Sequence, residues 1–145
     1  MTDKKLKSHR VKIDKIDKEI YALIQKRASH AVAIGKIKSK VSPKESFYKP
    51  DRETKILRNI LNANKKGLLP DSKIRAIYKE LISGCLSLEE ILKVAYLGPE
   101  ATHSEAAVHN QFGSQALRIP TSTIDDVFYQ VINDDVNLGV VPVEN

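Results

Sequence analysis

Apolar residues recur at Ile13, Ile16, Ile20, Leu23, Ile24, Ala31, Ile34 and Ile37, the three-and-four spacing of one helix face. No proline interrupts this run, and no glycine before Gly35. The pattern predicts one helix from about Asp3 to Lys40, roughly 55 Å long at ~1.5 Å per residue. That is longer than a small domain is wide, so the helix is expected to pack against a second chain. The segment 41–50, VSPKESFYKP, carries two prolines and reads as a loop. A second helix should start at Pro50, with Asp51 and Glu53 near its positive end. Ile56, Leu57, Ile60 and Leu61 form its apolar face, and Gly67 is its expected stop. Pro70-Asp71-Ser72 opens a third helix, with Asp71 or Ser72 as N-cap. Its stripe is Ile74, Tyr78, Leu81, Ile82, Cys85, Leu88 and Leu92.

After residue 93 the period changes. VAYLG (94–98) reads as a strand, SEAAVHNQF (104–112) as a short helix, and ALRI (116–119) as a second strand ended by Pro120. Thr123 through Asn133 is a further helix and LGVVPV (138–143) a third strand. The fold class expected is α+β. An all-α three-helix domain spans residues 1–93, and a partial α/β lobe of order β-α-β-α-β spans 94–145. Fifty-two residues bury too little to be comfortable alone.

Charge reinforces the division. Of the 24 Lys and Arg, 23 fall in residues 1–93, against 11 of the 18 Asp and Glu; the remaining residues hold one and seven. The first part is therefore strongly basic and the second acidic. A basic helical part leaves two kinds of partner open, nucleic acid or a small anion. The single cysteine, Cys85, excludes an internal disulfide and a multi-thiolate metal site. No apolar run approaches the ~18 residues of a membrane span, and MTDKKLKSHR lacks the apolar region of a signal peptide. A cytoplasmic location without membrane partners is expected.

Ionisable residues stand where apolar ones belong. Ile13, Ile20, Arg27 and Ile34 are seven apart, which puts Arg27 on the apolar line of the long helix. Lys38, eleven residues further, lies only about 20° away around the axis. The two cations share a face, roughly 16 Å apart along it. They either close around a small dianion or snorkel to the surface. Arg10 lies roughly 25 Å from Arg27 and cannot reach the same ligand on one straight helix. It is either a surface arginine or a group contributed to a partner's site. Glu53 precedes Ile56, Leu57 and Ile60 at +3, +4 and +7 and so faces inward, with Arg52 beside it; a helix-dipole role and a ligand contact both fit. Glu89 falls with Ile82, Cys85 and Leu92 on one stripe of the third helix. It is either an edge carboxylate in water or an interior one that needs a cation. Cys85 reads as a small buried hydrophobe. No Ser/His/Asp set, glycine-rich phosphate loop or metal-ligand spacing is present. A basic pocket with one or two carboxyls and no nucleophile suits electrostatic catalysis on a small anion.

Several motifs carry a family resemblance. R-x-x-I-x-x-I-D-x-x-I (10–20), K-R-x-x-x-A-x-x-I-G-x-x-K (26–38) and Y-K-P-D-R-E (48–53) together resemble the all-helical chorismate mutases. The stretch CLSLEEILKVAYLGPEATHSEAA (85–107) and the final GVVPVEN (139–145) resemble the bifunctional family in which chorismate mutase is fused to prephenate dehydratase. The resemblance implies an intertwined homodimer in which Arg10 crosses into the other subunit's site. It implies that Arg27 binds carboxylate, that Lys38 meets the ether oxygen, and that Arg52 and Glu53 form an Arg-Glu pair whose glutamate takes the substrate hydroxyl. Cys85 falls where the family often has serine, Glu89 where it has glutamine or glutamate, and Lys49 where many members have aspartate. The dehydratase part departs more. The family reads G-P-E/K-G-T-F/Y-S where this chain has Ala101 and His103, so a disturbed turn is expected there.

The resemblance thus implies an isomerase that rearranges chorismate to prephenate in phenylalanine biosynthesis, with no cofactor and no metal. Lys38 and Glu89 would be its catalytic residues. Dehydratase activity is expected to be missing, because the family's second lobe and catalytic motif lie beyond these residues, and the helical part is expected to work without 94–145. A basic nucleic-acid-binding module and a non-catalytic dimerisation module are the alternatives.

Overall fold

The computed structural model describes residues 2–42 and 45–144. Its first element is a helix of 40 residues, α1 (Thr2–Val41), followed by α2 (Pro50–Ala63) and α3 (Asp71–Leu86). The loop expected over 41–50 includes residues 43 and 44, which lie outside the described ones. Every residue from 3 to 26 of α1 is exposed, among them Ile13, Ile16 and Ile20, which are about half exposed. The line Ile13-Ile20-Arg27-Ile34 is therefore not a buried line within one chain. Only the last four turns of α1 pack on their own protein, against α3.

Pro50 sits in the first turn of α2, where its missing N–H costs nothing. The helix ends at Ala63, four residues before the expected glycine stop. There the Asn64 side chain donates to the Leu69 carbonyl at 3.0 Å and to Asp71 Oδ1 at 2.8 Å, so the turn into α3 is stitched by Asn64. Asp71 consequently accepts from the turn and does not cap α3. The N-cap is Pro70, and neither Asp71 nor Ser72 takes that role. α3 stops at Leu86, so the expected stripe does not continue on it: Leu88 and Glu89 lie in a turn where the Glu89 and Glu90 N–H groups both donate to the Leu86 carbonyl, and Leu92 lies further on, just before residue 93.

The remaining residues build β1 (Lys93–Leu97), α4 (His103–Phe112), β2 (Leu117–Thr121), α5 (Ile124–Ile132) and β3 (Leu138–Val140). The strands are parallel in the order β2-β1-β3. Val94 and Tyr96 point to one face and Ala95 to the other, all fully buried, as the two-residue period of a central strand requires. α4 covers the first face through Val108, and α5 covers the second through Val127. Pro120 does not end β2 but lies inside it, opposite Tyr96. β2 is an edge strand and Pro120 is exposed, so its missing N–H breaks no ladder bond. The third strand is shorter than expected, ending at Val140.

The fold class is α+β, as the change of period predicts. The sheet does not make its core alone, however. Tyr48, from the segment before α2, is buried in one cluster with Leu92, Val94, Tyr96, Val108 and Ala116, and Leu86 of α3 packs against them. The apolar surface that 52 residues could not cover by themselves is covered by the helical part.

Candidate active site

A cavity of about 540 Å³ opens between the second half of α1, the segment 47–49, the start of α2 and the end of α3. Arg27 and Lys38 line it from α1, Lys49, Arg52 and Glu53 from the start of α2, and Cys85 and Glu89 from the end of α3 and the turn after it. Seven of the eight residues singled out by sequence thus meet around one space. The eighth, Arg10, is exposed on α1 and does not line it. His30 and Phe47 also line the cavity and carry no signal in the sequence, and Tyr48 lines it too, as the first residue of the Y-K-P-D-R-E motif.

Lys38 is the most contacted cation. Its Nζ donates to the Phe47 carbonyl at 3.2 Å, lies 5.7 Å from the centre of the Phe47 ring, and stands 3.6 Å from Glu89 Oε2. Glu89 reaches α1 although it lies past the end of α3. It does so because Gly35, one turn before Lys38, has no side chain: a Cβ there would come within 3.2 Å of Glu89 Cγ. The Glu89 side chain is only 9% exposed, and no described protein group donates a hydrogen bond to its Oε2. One buried carboxyl oxygen therefore faces a single ammonium at a distance too long for a hydrogen bond.

Glu53 is held from behind. Lys79 of α3 places its Nζ 3.0 Å from Glu53 Oε1, and both side chains are largely buried. Lys79 does not line the cavity, and sequence reading missed it because a lysine on a basic helix reads as surface. Lys49 is turned outward, in close contact with Glu45, whose carboxyl it holds below the ordinary glutamate value. What Lys49 offers inward is its main chain: its carbonyl accepts from the Arg52 and Glu53 N–H groups and starts α2. Tyr48 packs edge-on against Phe112 at 5.4 Å. Burial pushes its hydroxyl above the ordinary tyrosine range, a hydrogen bond with Gln111 opposes that, and the nearby Glu53 charge adds to it. Cys85 is buried as a free thiol. The cavity lining thus carries four cations and two carboxylates. With Lys79 opposite Glu53, its balance favours an anion.

The family model described as Chorismate mutase type II matches residues 9–90, and that described as Prephenate dehydratase matches residues 94–145. Proteins named "Bifunctional chorismate mutase/prephenate dehydratase" are similar over almost the whole chain. The one from Aquifex aeolicus is 47% identical over 143 residues and that from Stutzerimonas stutzeri 43% over 143, in each case 97% of this chain and 39% of the relative. The Escherichia coli K12 protein of the same name is 24% identical over 152 residues, 94% of this chain and 39% of its own. The chain spans about two fifths of the length of the curated relatives it matches.

Proposed function

The chain belongs to the chorismate mutase type II family, and from that membership we propose that residues 1–93 form a chorismate mutase domain that rearranges chorismate to prephenate within one molecule. The observation that carries this reading is the cavity itself, where Arg27, Lys38, Arg52, Glu53 and Glu89 converge from three helices and their connections. The rearrangement breaks a C–O bond and makes a C–C bond in one molecule, so no nucleophile, metal or cofactor has to be supplied. The site must fold a flexible dianion into a compact conformer, and fixed cations do that by orientation. Arg27 clamps a carboxylate. As the C–O bond opens, negative charge grows on the ether oxygen. The Lys38 ammonium meets it there, with Glu89 beside it as the second catalytic residue. Arg52 and Glu53 hold the ring end, with Glu53 accepting from the substrate hydroxyl. Lys49 contributes through the main chain that starts α2, and Cys85 contributes packing.

We assign the working unit as a homodimer, with Arg10 supplied by the other subunit. The support is the length of α1 left uncovered: Ile13, Ile16, Ile20 and Leu23 form an apolar face with nothing of its own chain against it. Residues 94–145 we assign to the N-terminal part of a prephenate dehydratase domain. Their Gly98, Pro99, Thr121 and Ser122 line a cleft at the C-terminal ends of β1 and β2, where open parallel sheets bind ligands. No helix among the described residues is long and apolar enough to cross a membrane. A buried free thiol fits a reducing, cytoplasmic setting.

Loss of chorismate absorbance with the purified chain tests the reading. Turnover is expected, and Lys38→Ala should abolish it. A chain that leaves chorismate intact overturns the reading. Salt-dependent binding of DNA by that inactive chain would assign the basic helices to nucleic acid instead.

A further inference from the structure

Lys79 sits behind the cavity wall and joins two parts of the molecule that the sequence separates. Its Nζ lies 3.0 Å from Glu53 Oε1 and donates to the main-chain carbonyl of Gln111 at 2.8 Å. Gln111 is in the last turn of α4, where helix carbonyls lack intrahelical partners and carry the negative end of the dipole. One ammonium therefore serves a site carboxylate on one side and the end of a helix from residues 94–145 on the other. The end of α4 is pinned where Lys79 needs it. Glu80, next to Lys79, accepts from the Ser114 N–H at 3.0 Å and the Ser114 hydroxyl at 2.5 Å. Gly113, at φ +78°, lies so close to α3 that a Cβ would come within 2.6 Å of Ser83 Cβ. Phe112 closes the contact against Tyr48, itself part of the cavity wall.

We propose that Lys79 is a positioning residue for Glu53, and that the end of α4 is the anchor that holds Lys79 in place, so that residues 94–145 take part in the chemistry of the helical site. This rests on the reading of the cavity as a chorismate site. A glutamate bound at Oε1 by a fixed ammonium has lost its freedom to turn away, and Oε2 is left as the acceptor for a substrate hydroxyl. Without Lys79, Glu53 would still be present but not oriented, and Arg52 beside it would compete for the carboxylate. The helical part then does not work at full strength by itself, contrary to the expectation from sequence.

The test uses the full chain and two substrates, chorismate and an analogue lacking the ring hydroxyl. Lys79→Met should lower kcat/KM for chorismate by up to about 100-fold, the size of loss that a small misplacement of a site group produces. The same variant should turn over the analogue like the wild type, because no hydroxyl is there for Glu53 to accept. Lys79→Arg, which keeps the charge and can reach both partners, should recover most of the loss. Gly113→Val, which forces α4 away from Ser83, should reproduce the selective loss without touching Lys79. Equal losses on both substrates, or a Gly113→Val variant that treats chorismate normally, would overturn the inference and leave the chorismate reading standing. A wild-type chain that does not turn over chorismate would overturn the reading of the cavity and this inference with it.

Discussion

Gly35 and Glu89 occupy one another's space: a Cβ on Gly35 would stand 3.2 Å from Glu89 Cγ and 3.3 Å from its Cβ. This contact explains how a residue outside any helix reaches Lys38. Gly35 is buried, mid-helix, at a position where glycine normally costs about 0.5–1 kcal/mol relative to alanine.

Gly35→Ala therefore separates stability from activity. Helix propensity should recover part of that cost, so the melting temperature should hold or rise slightly. Glu89 must retreat by a few tenths of an ångström from α1, and chorismate turnover should fall about tenfold or more. Retained turnover would show that the approach of Glu89 to α1 is incidental.

The helical site was legible to the extent that it follows periodicity. Arg27 and Lys38 share a face because eleven residues are close to a whole number of turns, and Glu53 faces inward because Ile56, Leu57 and Ile60 do. Glu89 lines the cavity without belonging to the stripe of the third helix: past Leu86 the backbone has already left the helix, and Leu92 belongs to the sheet's core instead. Lys79 is illegible because one of its two partners is a carbonyl of α4, 32 residues later, and no local pattern encodes that contact. Pro120 misled for a similar reason: whether a proline ends a strand depends on whether that strand is an edge.

Ala101 stands where the resembled family carries glycine, and it adopts a φ of +62°, in the left-handed region that favours glycine. A left-handed alanine costs roughly 1–2 kcal/mol, and the turn forms because the Ala101 N–H donates to Glu105 Oε2 at 2.6 Å. Ala101→Gly removes that strain at some entropic cost in the unfolded chain, for a net gain of about 0.5–1 kcal/mol. Chemical denaturation of the two chains measures it, and a less stable glycine variant would contradict the strain argument.

Glu105 ties the same turn to β2. Its carboxyl is held below the ordinary value of 4.5, first by the Ala101 N–H and then, against some desolvation, by Arg118 and His109. Arg118 Nε donates to Oε1 at 3.2 Å. A carboxyl lowered in the folded state adds stability above its unfolded value and loses it as pH falls through the folded value. Wild type should thus be more stable than Glu105→Gln at neutral pH, and the gap should close on acidification below about 4.5. Thermal melts across pH 3 to 7 read this directly. A gap independent of pH would mean the carboxylate charge is not what matters.

The exposed face of α1 bears on assembly. With residues 3–26 uncovered and Arg10 roughly 25 Å from Arg27, one chain does not bring the two arginines to one site. Light scattering should give a dimer. Arg10→Ala and Arg27→Ala should each be nearly inactive alone. Mixed and refolded together, they should regain activity, because half of the mixed chains pair into dimers in which one of the two sites has both arginines. An active monomer, or mixtures no better than their parts, would remove Arg10 from the partner's site.

Glu89 Oε2 is buried, has no hydrogen-bond donor among the described residues, and is 3.6 Å from Lys38 Nζ. A substrate oxygen gaining negative charge near Lys38 would be repelled by an ionised Glu89 and stabilised by a protonated one, since only the acid form donates. A neutral donor at this place therefore serves the breaking C–O bond better than a carboxylate. Glutamine has nearly the same shape and donates through its amide at every ordinary pH. Glu89→Gln should keep activity. Glu89→Ala should lose roughly 100- to 1000-fold in kcat at all pH values, the usual consequence of removing one donor from a developing oxyanion. The decisive comparison is the kcat of Glu89→Gln beside that of Glu89→Ala. If the two lose activity equally, donation is not its role, and Glu89 acts only as the buried charge that holds the Lys38 ammonium in place.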